Sequence, residues 1–527
     1  MLFRPSCLLI PQATVVQNNL DRRDAVFASS EFLTKNLTYF TLIDANYRGK
    51  GVGSDSNVDL ALIQVYSAML RFAAEVQKAR DENAGSRIAK SIFSFSDSSL
   101  AALKEVVKEQ KEALKEWQQL AADLDAEQEK QLKWVSSFDF SNRHKHLHER
   151  RTEGTGTWLL DSPEHNFWVY NEGEFLWLPG ISGCGKSVLC STVIHELKNR
   201  CKLDRSKYVA YWYFEFGKDE TKSVDAVARS LIRQLSKPPL ASSVVNLYKG
   251  HCYDGSQPDY EDLLTVLHDV LSKFEEGSHV YLIFDALDEC PNNDAFPSQR
   301  EKLLSLFVDL LGNHKNKVHI LATSRPEEDI REELSEYPSV DLELRLAGDV
   351  KKFVDNALSK GCLRRWKDPE VHKAIRDKLL SFKERRFRWA ELQIDALAPL
   401  VKKDKLIEAL DKVPATLEDT YRRVLDSIPP DNVSTAREIL MILCLSPTAV
   451  NLDTVAQMAD IDNSGDVVTT CTSSLVTLNQ EEIQVAHFSV QEYLIVDEKE
   501  SKLHECQFTA TDGHKHLTER AVDCLLA

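Results

Sequence analysis

No two of the eleven cysteines stand at C-x-x-C spacing. They run irregularly from Cys7 to Cys524 and are odd in number, which excludes a zinc framework and a disulfide scaffold. Reduced thiols in a cytoplasmic protein are the expectation. A long apolar run is also missing. Cys7-Leu8-Leu9-Ile10 is broken by Pro11 and Gln12, too short for a signal segment, and nothing approaches the roughly 18 residues that a membrane span requires. Positive charge is in short supply. A formal net charge of −17 argues against a nucleic-acid partner, because duplex binding rests on Lys and Arg neutralising phosphates. Finally, no internal period is present, so a repeat solenoid is not expected.

What remains is globular composition, 43% hydrophobic and 28% charged. A chain of 527 residues suggests about three to four domains. Residues 1–150 read as a mostly helical domain and linker. Leu60, Leu62, Ile63, Tyr66, Met69, Leu70 and Phe72 form one apolar stripe, and Leu103, Val106, Val107, Leu114, Trp117, Leu120 and Leu124 another. The heptads are too few for a sustained coiled coil, which favours packed helices. The polar stretch from Asn142 to Thr157, despite His144, His146 and His148, reads as a solvated linker.

Residues 151–345 carry apolar runs at Phe175–Leu178, Tyr208–Phe214, Val280–Phe284, Val318–Ala322 and Val340–Leu344, with amphipathic stretches between them. That alternation predicts an α/β fold, a parallel sheet with helices on both faces. Residues 346–412 read as a helical subdomain. Residues 413–527 read as helices, a hairpin near 474–487 and an amphipathic tail through Leu517, Ala521, Cys524 and Leu525.

The chemistry concentrates at Gly180-Ile181-Ser182-Gly183-Cys184-Gly185-Lys186-Ser187, which satisfies G-x-x-x-x-G-K-[ST] at every fixed position. Such a loop wraps backbone N–H groups around phosphate oxygens. Lys186 is placed for the β- and γ-phosphates and Ser187 for Mg²⁺. A helix from Val188 to Lys198 points its positive end at the anion. A second motif, Val280-Tyr281-Leu282-Ile283-Phe284-Asp285, is a buried strand ending in a carboxylate. Asp285 there can hold Mg²⁺ through water while Ser187 ligates it directly. Asp288 or Glu289 could orient or deprotonate an attacking water. A third strand ends in Thr323-Ser324-Arg325-Pro326. Pro326 suits the first turn of a helix, and Arg325 could either meet a γ-phosphate or pair with Glu327 or Glu328.

Together these motifs resemble the NACHT class of STAND signalling ATPases, particularly fungal proteins with a nephrocystin-3-like nucleotide-binding domain. Leu176-Trp177-Leu178, Tyr211-Trp212-Tyr213-Phe214, the small Ala286 after Asp285, Phe387-Arg388-Trp389-Ala390 and Thr416-Leu417-Glu418-Asp419-Thr420-Tyr421 add to the likeness. So does Ala486-His487-Phe488-Ser489-Val490-Gln491-Glu492-Tyr493-Leu494, similar to that family's winged-helix signature. Where the family usually has Gly-Met before the Phe-Arg-Trp-Ala helix, this chain has Glu384-Arg385-Arg386. Family members commonly continue into ligand-sensing repeats, whereas this chain stops at Ala527, so it is either naturally short or cut short.

The resemblance spans roughly residues 150–527. It implies a sheet with the Arg325 strand between the Gly180 and Asp285 strands. It also implies a nucleotide switch: ADP holds a closed monomer, and exchange for ATP permits self-assembly, as in innate immunity or self-recognition. His487 would touch the β-phosphate of ADP. The sequence independently puts His487 at a strand-to-helix junction, with Ser489 and Glu492 at capping-box spacing. ATP or ADP is the expected ligand, with GTP open, together with Mg²⁺ and slow turnover. Protein partners would bind through the N-terminal helices. A nucleotide-binding scaffold without turnover and a P-loop kinase are the competing readings.

Overall fold

The computed structural model describes residues 122–526 apart from 172, 216–218, 293–296, 447–449, 472–473, 480 and 498–503, with isolated helical positions between 63 and 119. Residues 1–57 and most of the two apolar stripes between Val58 and Leu132 lie outside the described residues. The chain divides into two units, Met1–Lys130 and Gln131–Ala527. Described positions of the first unit are helical, with Glu105–Lys108 and Glu112–Lys115 pairing on exposed surface at i,i+3. Among the described residues no helix is long and apolar enough to cross a membrane.

The second unit is organised by four parallel strands: β1 (Phe175–Pro179), β2 (Lys207–Tyr213), β3 (His279–Asp285) and β4 (Val318–Ser324). Their order is β1-β4-β3-β2, which puts the Arg325 strand between the other two motif strands. β4 is buried at every residue and β3 at all but its first. Strands covered on both faces need apolar side chains at successive positions, not at alternate ones. In register, Pro179 faces Ser324 and Tyr213 faces Asp285, so the strands end together at one sheet edge. That edge is where open α/β sheets bind ligands.

Two hydrophobic cores follow one another along the chain. The first runs from Leu132 to Leu346 around the sheet, and the second from Val350 to Phe508. Trp389 is wholly buried in the second, its Nε1–H donating to Pro414 O at 3.2 Å. Trp389→Ala should therefore lower the unfolding free energy by about 3–5 kcal/mol, read as an earlier denaturant midpoint. A small antiparallel sheet sits in this region: β5 (Val450–Asn451), β6 (Val476–Asn479) and β7 (Glu482–Val485), in the order β5-β7-β6. The β6–β7 pair is the hairpin expected near 474–487.

Two expectations fail. The run Val340–Leu344 does not form a strand. Val340 N and Leu342 N do donate to Trp177 O and Pro179 O at 2.9 and 3.1 Å, but the pairing stops at one bridge, Trp177 to Ser339. The Asp341 carboxylate then accepts the Glu343 N–H at 2.9 Å and turns the chain into a 3₁₀ segment, Glu343–Arg345. Nor is the stretch after Asn142 a solvated linker. Ser141–Glu149 is a helix, and its i,i+4 pair His144 and His148 shares one face. His144 bonds to Tyr213 Oη at 3.2 Å, while His148 stacks on His195 with ring centroids 4.0 Å apart. Burial pushes the His144 pKa down to about 4. A neutral imidazole packs as an aromatic ring, so the stretch counts as polar by composition yet buries a face.

Candidate functional site

The phosphate loop runs from the end of β1 into the helix Lys186–Leu203. Gly183 and Gly185 both have left-handed backbone, with φ of +78° and +92°. Space is short as well: a Cβ at Gly183 would lie 2.9 Å from Arg388 Cβ, and one at Gly185 would lie a tight 3.1 Å from the Phe387 ring. Gly180 N–H donates to Ser324 O at 3.0 Å, joining the loop to the neighbouring strand. Lys186 Nζ donates to Gly180 O at 2.8 Å and to Ile181 O at 3.1 Å, so the ammonium lies inside the loop. Cys184 is buried and its thiol pKa is raised by burial, which makes it an inert packing group here.

At the end of β3, Asp285 is fully buried. Its Oδ1 accepts the Thr323 hydroxyl at 2.7 Å, and the same Thr323 oxygen accepts the Ala286 N–H at 3.0 Å. Burial raises the Asp285 pKa, opposed by the Ser187 and Thr323 hydroxyls and by the charges of Arg143 and Lys186. Oδ2 of Asp285 is enclosed without a hydrogen-bond partner. A buried carboxylate oxygen left open beside a serine hydroxyl suits a hard divalent cation, so this donor set fits Mg²⁺.

Asp288 and Glu289 are brought to the same sheet edge but differ in environment. Asp288 is occupied by Arg325: the Arg325 backbone N–H reaches Oδ1 at 2.9 Å and Nε reaches Oδ2 at 2.6 Å. Glu289 has an enclosed Oε2 without a partner, and burial, reinforced by the charges of Asp288 and Asp285, drives its pKa up to about 8. Arg325 is shared. Besides Asp288 it meets Glu327 at 2.9 Å and Glu492 at 2.7 Å, and its guanidinium lies over the Phe488 ring at 4.5 Å. Of the two partners weighed for it, Glu327 is used. Pro326 lies ahead of the helix Glu328–Glu333 and not in its first turn.

His487 caps the helix Phe488–Leu494, its Nδ1 accepting the Ser489 N–H at 3.1 Å. The expected Ser489–Glu492 capping box is absent: His487 is the N-cap, so Ser489 already lies within the helix, and Glu492 pairs with Arg325. Ser489 Oγ instead links Tyr421 Oη at 2.7 Å to His487 Nδ1 at 2.6 Å. With Nδ1 accepting, the proton of the neutral ring resides on Nε2. Burial, then the Arg388 charge, presses the His487 pKa to about 4.

Two cavities flank the loop. One, of about 130 Å³, lies beside Gly185 and Val188 and is bounded by Thr155, Trp158, Leu342 and Phe387. Asp349 braces its wall, accepting the Gly156 N–H at 2.7 Å and the Trp158 Nε1–H at 2.9 Å. The other, of about 460 Å³, opens between Ser182, Arg325, Arg386 and Glu492. Arg386 ties Glu384 at 2.6 Å to Glu418 at 2.9 Å.

Sequence reasoning missed Thr323 on Asp285, Arg388 on Gly183 and Glu391 in the wall of the smaller cavity. Thr323 had a readable signal, a hydroxyl directly after the apolar run 320–322 near the end of a buried strand. Arg388 and Glu391 had none, since their approach to the loop is set by packing between segments 200 residues apart.

Residues 154–325 match the family model described as nephrocystin 3, N-terminal. No curated protein matches the chain. Among solved structures, the ORC2 protein of Aeropyrum pernix is 12% identical, covering 72% of this chain and 95% of that one at a TM-score of 0.33. A Walker-type ATPase of Pyrococcus abyssi is 11% identical, with 65% and 95% covered and a TM-score of 0.31. A STAND protein with a tetratricopeptide repeat sensor from Pyrococcus horikoshii is 14% identical, with 68% and 44% covered and a TM-score of 0.34. Likenesses this loose bear no functional weight. Sheet order, phosphate loop and acidic strand end define the class, a P-loop NTPase. Within that class, residues 154–325 are similar to the nephrocystin 3, N-terminal model.

Proposed function

We propose that the chain is a nucleotide-gated signalling switch, binding ATP or ADP with Mg²⁺ and hydrolysing ATP slowly to time its own assembly. Residues 151–345 would be the nucleotide-binding domain, 346–412 a helical subdomain and 413–527 a winged-helix domain with a helical tail. Residues 1–150 would engage protein partners. Lys186 would exchange its loop carbonyls for β- and γ-phosphate oxygens, with the N-terminus of its helix adding to the field. Ser187 and Asp285 would hold Mg²⁺, which when bound neutralises charge on the phosphates. Glu289, its proton affinity raised by enclosure, would in its ionised form accept a proton from the attacking water. Asp288 would fix Arg325.

The observation that carries the switch reading is the Arg325–Glu492 ion pair at 2.7 Å, with Phe488 under the guanidinium. One arginine at the phosphate edge of the sheet is thereby held by the same helix that His487 caps. A residue so engaged must leave Glu492 to serve a γ-phosphate, which couples nucleotide state to release of that helix. His487, neutral and with its Nε2–H as donor, would latch the closed form on a diphosphate. The test is the mass of the purified chain with Mg-ADP and with a non-hydrolysable ATP analogue. A monomer with ADP and a larger species with the analogue are expected, and His487→Leu should move the ADP sample toward the larger species. Equal masses under both nucleotides, or no effect of His487→Leu on size and ADP retention, would remove the reading.

A further inference from the structure

Arg388 plays no part in the scheme above, yet it packs directly on the phosphate loop. It is the second residue of the helix Phe387–Leu397. Its backbone N–H donates to Gly183 O at 3.2 Å, and its Cβ blocks the space a Gly183 side chain would need. The guanidinium is largely enclosed, with 14% of the side chain exposed. Nη1 donates to Glu391 Oε2 at 2.9 Å and Nη2 to Ser474 O at 3.1 Å. Nε is sealed from solvent and has no acceptor. A buried guanidinium N–H without an acceptor is a costly arrangement unless something supplies one.

The surrounding charge points to what that something is. Glu391 is shared, its other oxygen accepting Arg150 Nη2 at 2.9 Å. Arg388, Arg150 and Lys186 gather here around His487, with Glu391 and Asp395 as the carboxylates facing Arg388 and Arg150. Positive charge in excess, part-enclosed beside a phosphate loop, is complementary to an anion with several acceptor oxygens. Position on the loop bears on which phosphate it meets. The 130 Å³ cavity is lined by Gly185, Val188 and Glu391, whereas Arg388 sits on Gly183 and is not among its lining residues.

We propose that Arg388 is a phosphate-binding residue, its Nε–H and guanidinium edge taking an oxygen of the terminal phosphate of a nucleoside diphosphate seated on Gly183–Ser187. This rests on the nucleotide-binding reading and deepens it. Because Arg388 also holds Ser474 O, just ahead of β6, the same guanidinium joins that phosphate to the small sheet. The terminal phosphate thus has a direct mechanical link to the region that carries His487.

Calorimetric titration of the full chain with ADP and with AMP, in the presence of Mg²⁺, tests it. Arg388→Gln is expected to weaken ADP binding by about tenfold to a hundredfold, the loss of one charge-assisted contact, and to leave AMP binding within about twofold. Arg388→Lys, which keeps the charge but loses the Nε–H, should weaken ADP by several-fold and also spare AMP. If Arg388→Gln fails to fold, Arg388→Lys alone decides by the same ADP-against-AMP comparison. Equal losses for ADP and AMP, or no loss for ADP, overturn the proposal. Lys186→Ala separates the two levels: ADP binding that survives this change undermines the nucleotide site itself, whereas its loss together with ADP indifference to Arg388 rejects only the role of Arg388.

Discussion

Lys186→Ala is expected to erase the stabilisation that nucleotide confers. At about 100 times its dissociation constant, ADP should raise the unfolding free energy by about 2.7 kcal/mol, because a ligand of the native state shifts the equilibrium by mass action. Lys186 is the one side-chain cation inside the loop, bonded to Gly180 O and Ile181 O. Without it the loop keeps its glycines and its backbone but loses the charge that offsets the phosphates. The free variant should stay within about 1–2 kcal/mol of the parent, since the lost bonds are local and partly solvated. Denaturant melts with and without Mg-ADP give both numbers. An ADP shift in Lys186→Ala as large as in the parent would rule out the phosphate loop as the binding element.

The second large effect is on turnover. Glu289→Gln is expected to slow phosphate release from ATP by about 10²–10⁴-fold while leaving ADP affinity little changed. The side chain keeps its shape, but an amide cannot take a proton from water. The same change has a signature in stability. Glu289 titrates near 8 when folded and near 4.5 as an ordinary carboxyl, so between those values the native state binds its proton more tightly than the unfolded state. Stability attributable to this group therefore falls as pH rises through that window, by at most about 1.4 kcal/mol per pH unit. Glu289→Gln should flatten that part of the profile and be relatively more stable near pH 8. Turnover unchanged by the substitution would move the proton-accepting role to another group. Asp288 is the less suited alternative, because both its oxygens are engaged by Arg325.

Arg325 illustrates where reading a sequence stops. Its place at the edge of the sheet followed from the apolar run Val318–Ala322 and the polar residues after it. Its partners did not. Glu327 is two residues away and was a natural candidate, but Glu492 is 167 residues away and announced itself only as the end of a capping box. Local spacing made Ser489 and Glu492 look like partners of each other. Tertiary packing gave Ser489 to His487 and Tyr421, and Glu492 to Arg325. The histidines after Asn142 fail for a related reason. Composition counts imidazole as polar, whereas a ring that stays neutral when buried packs against Tyr213 and His195 as an aromatic.

By itself the sequence determined the α/β core, the phosphate loop and the carboxylate at the end of β3, because each depends on neighbours in the chain: glycines where φ is positive, apolar runs where both faces are covered, a helix that begins at the loop. Only the tertiary structure decided that Arg388 lies on Gly183, that Thr323 occupies Asp285 Oδ1 and leaves Oδ2 open, and that Arg325 is tied to Glu492. Those are contacts between distant segments, selected by how two hydrophobic cores pack, and no short-range pattern records them.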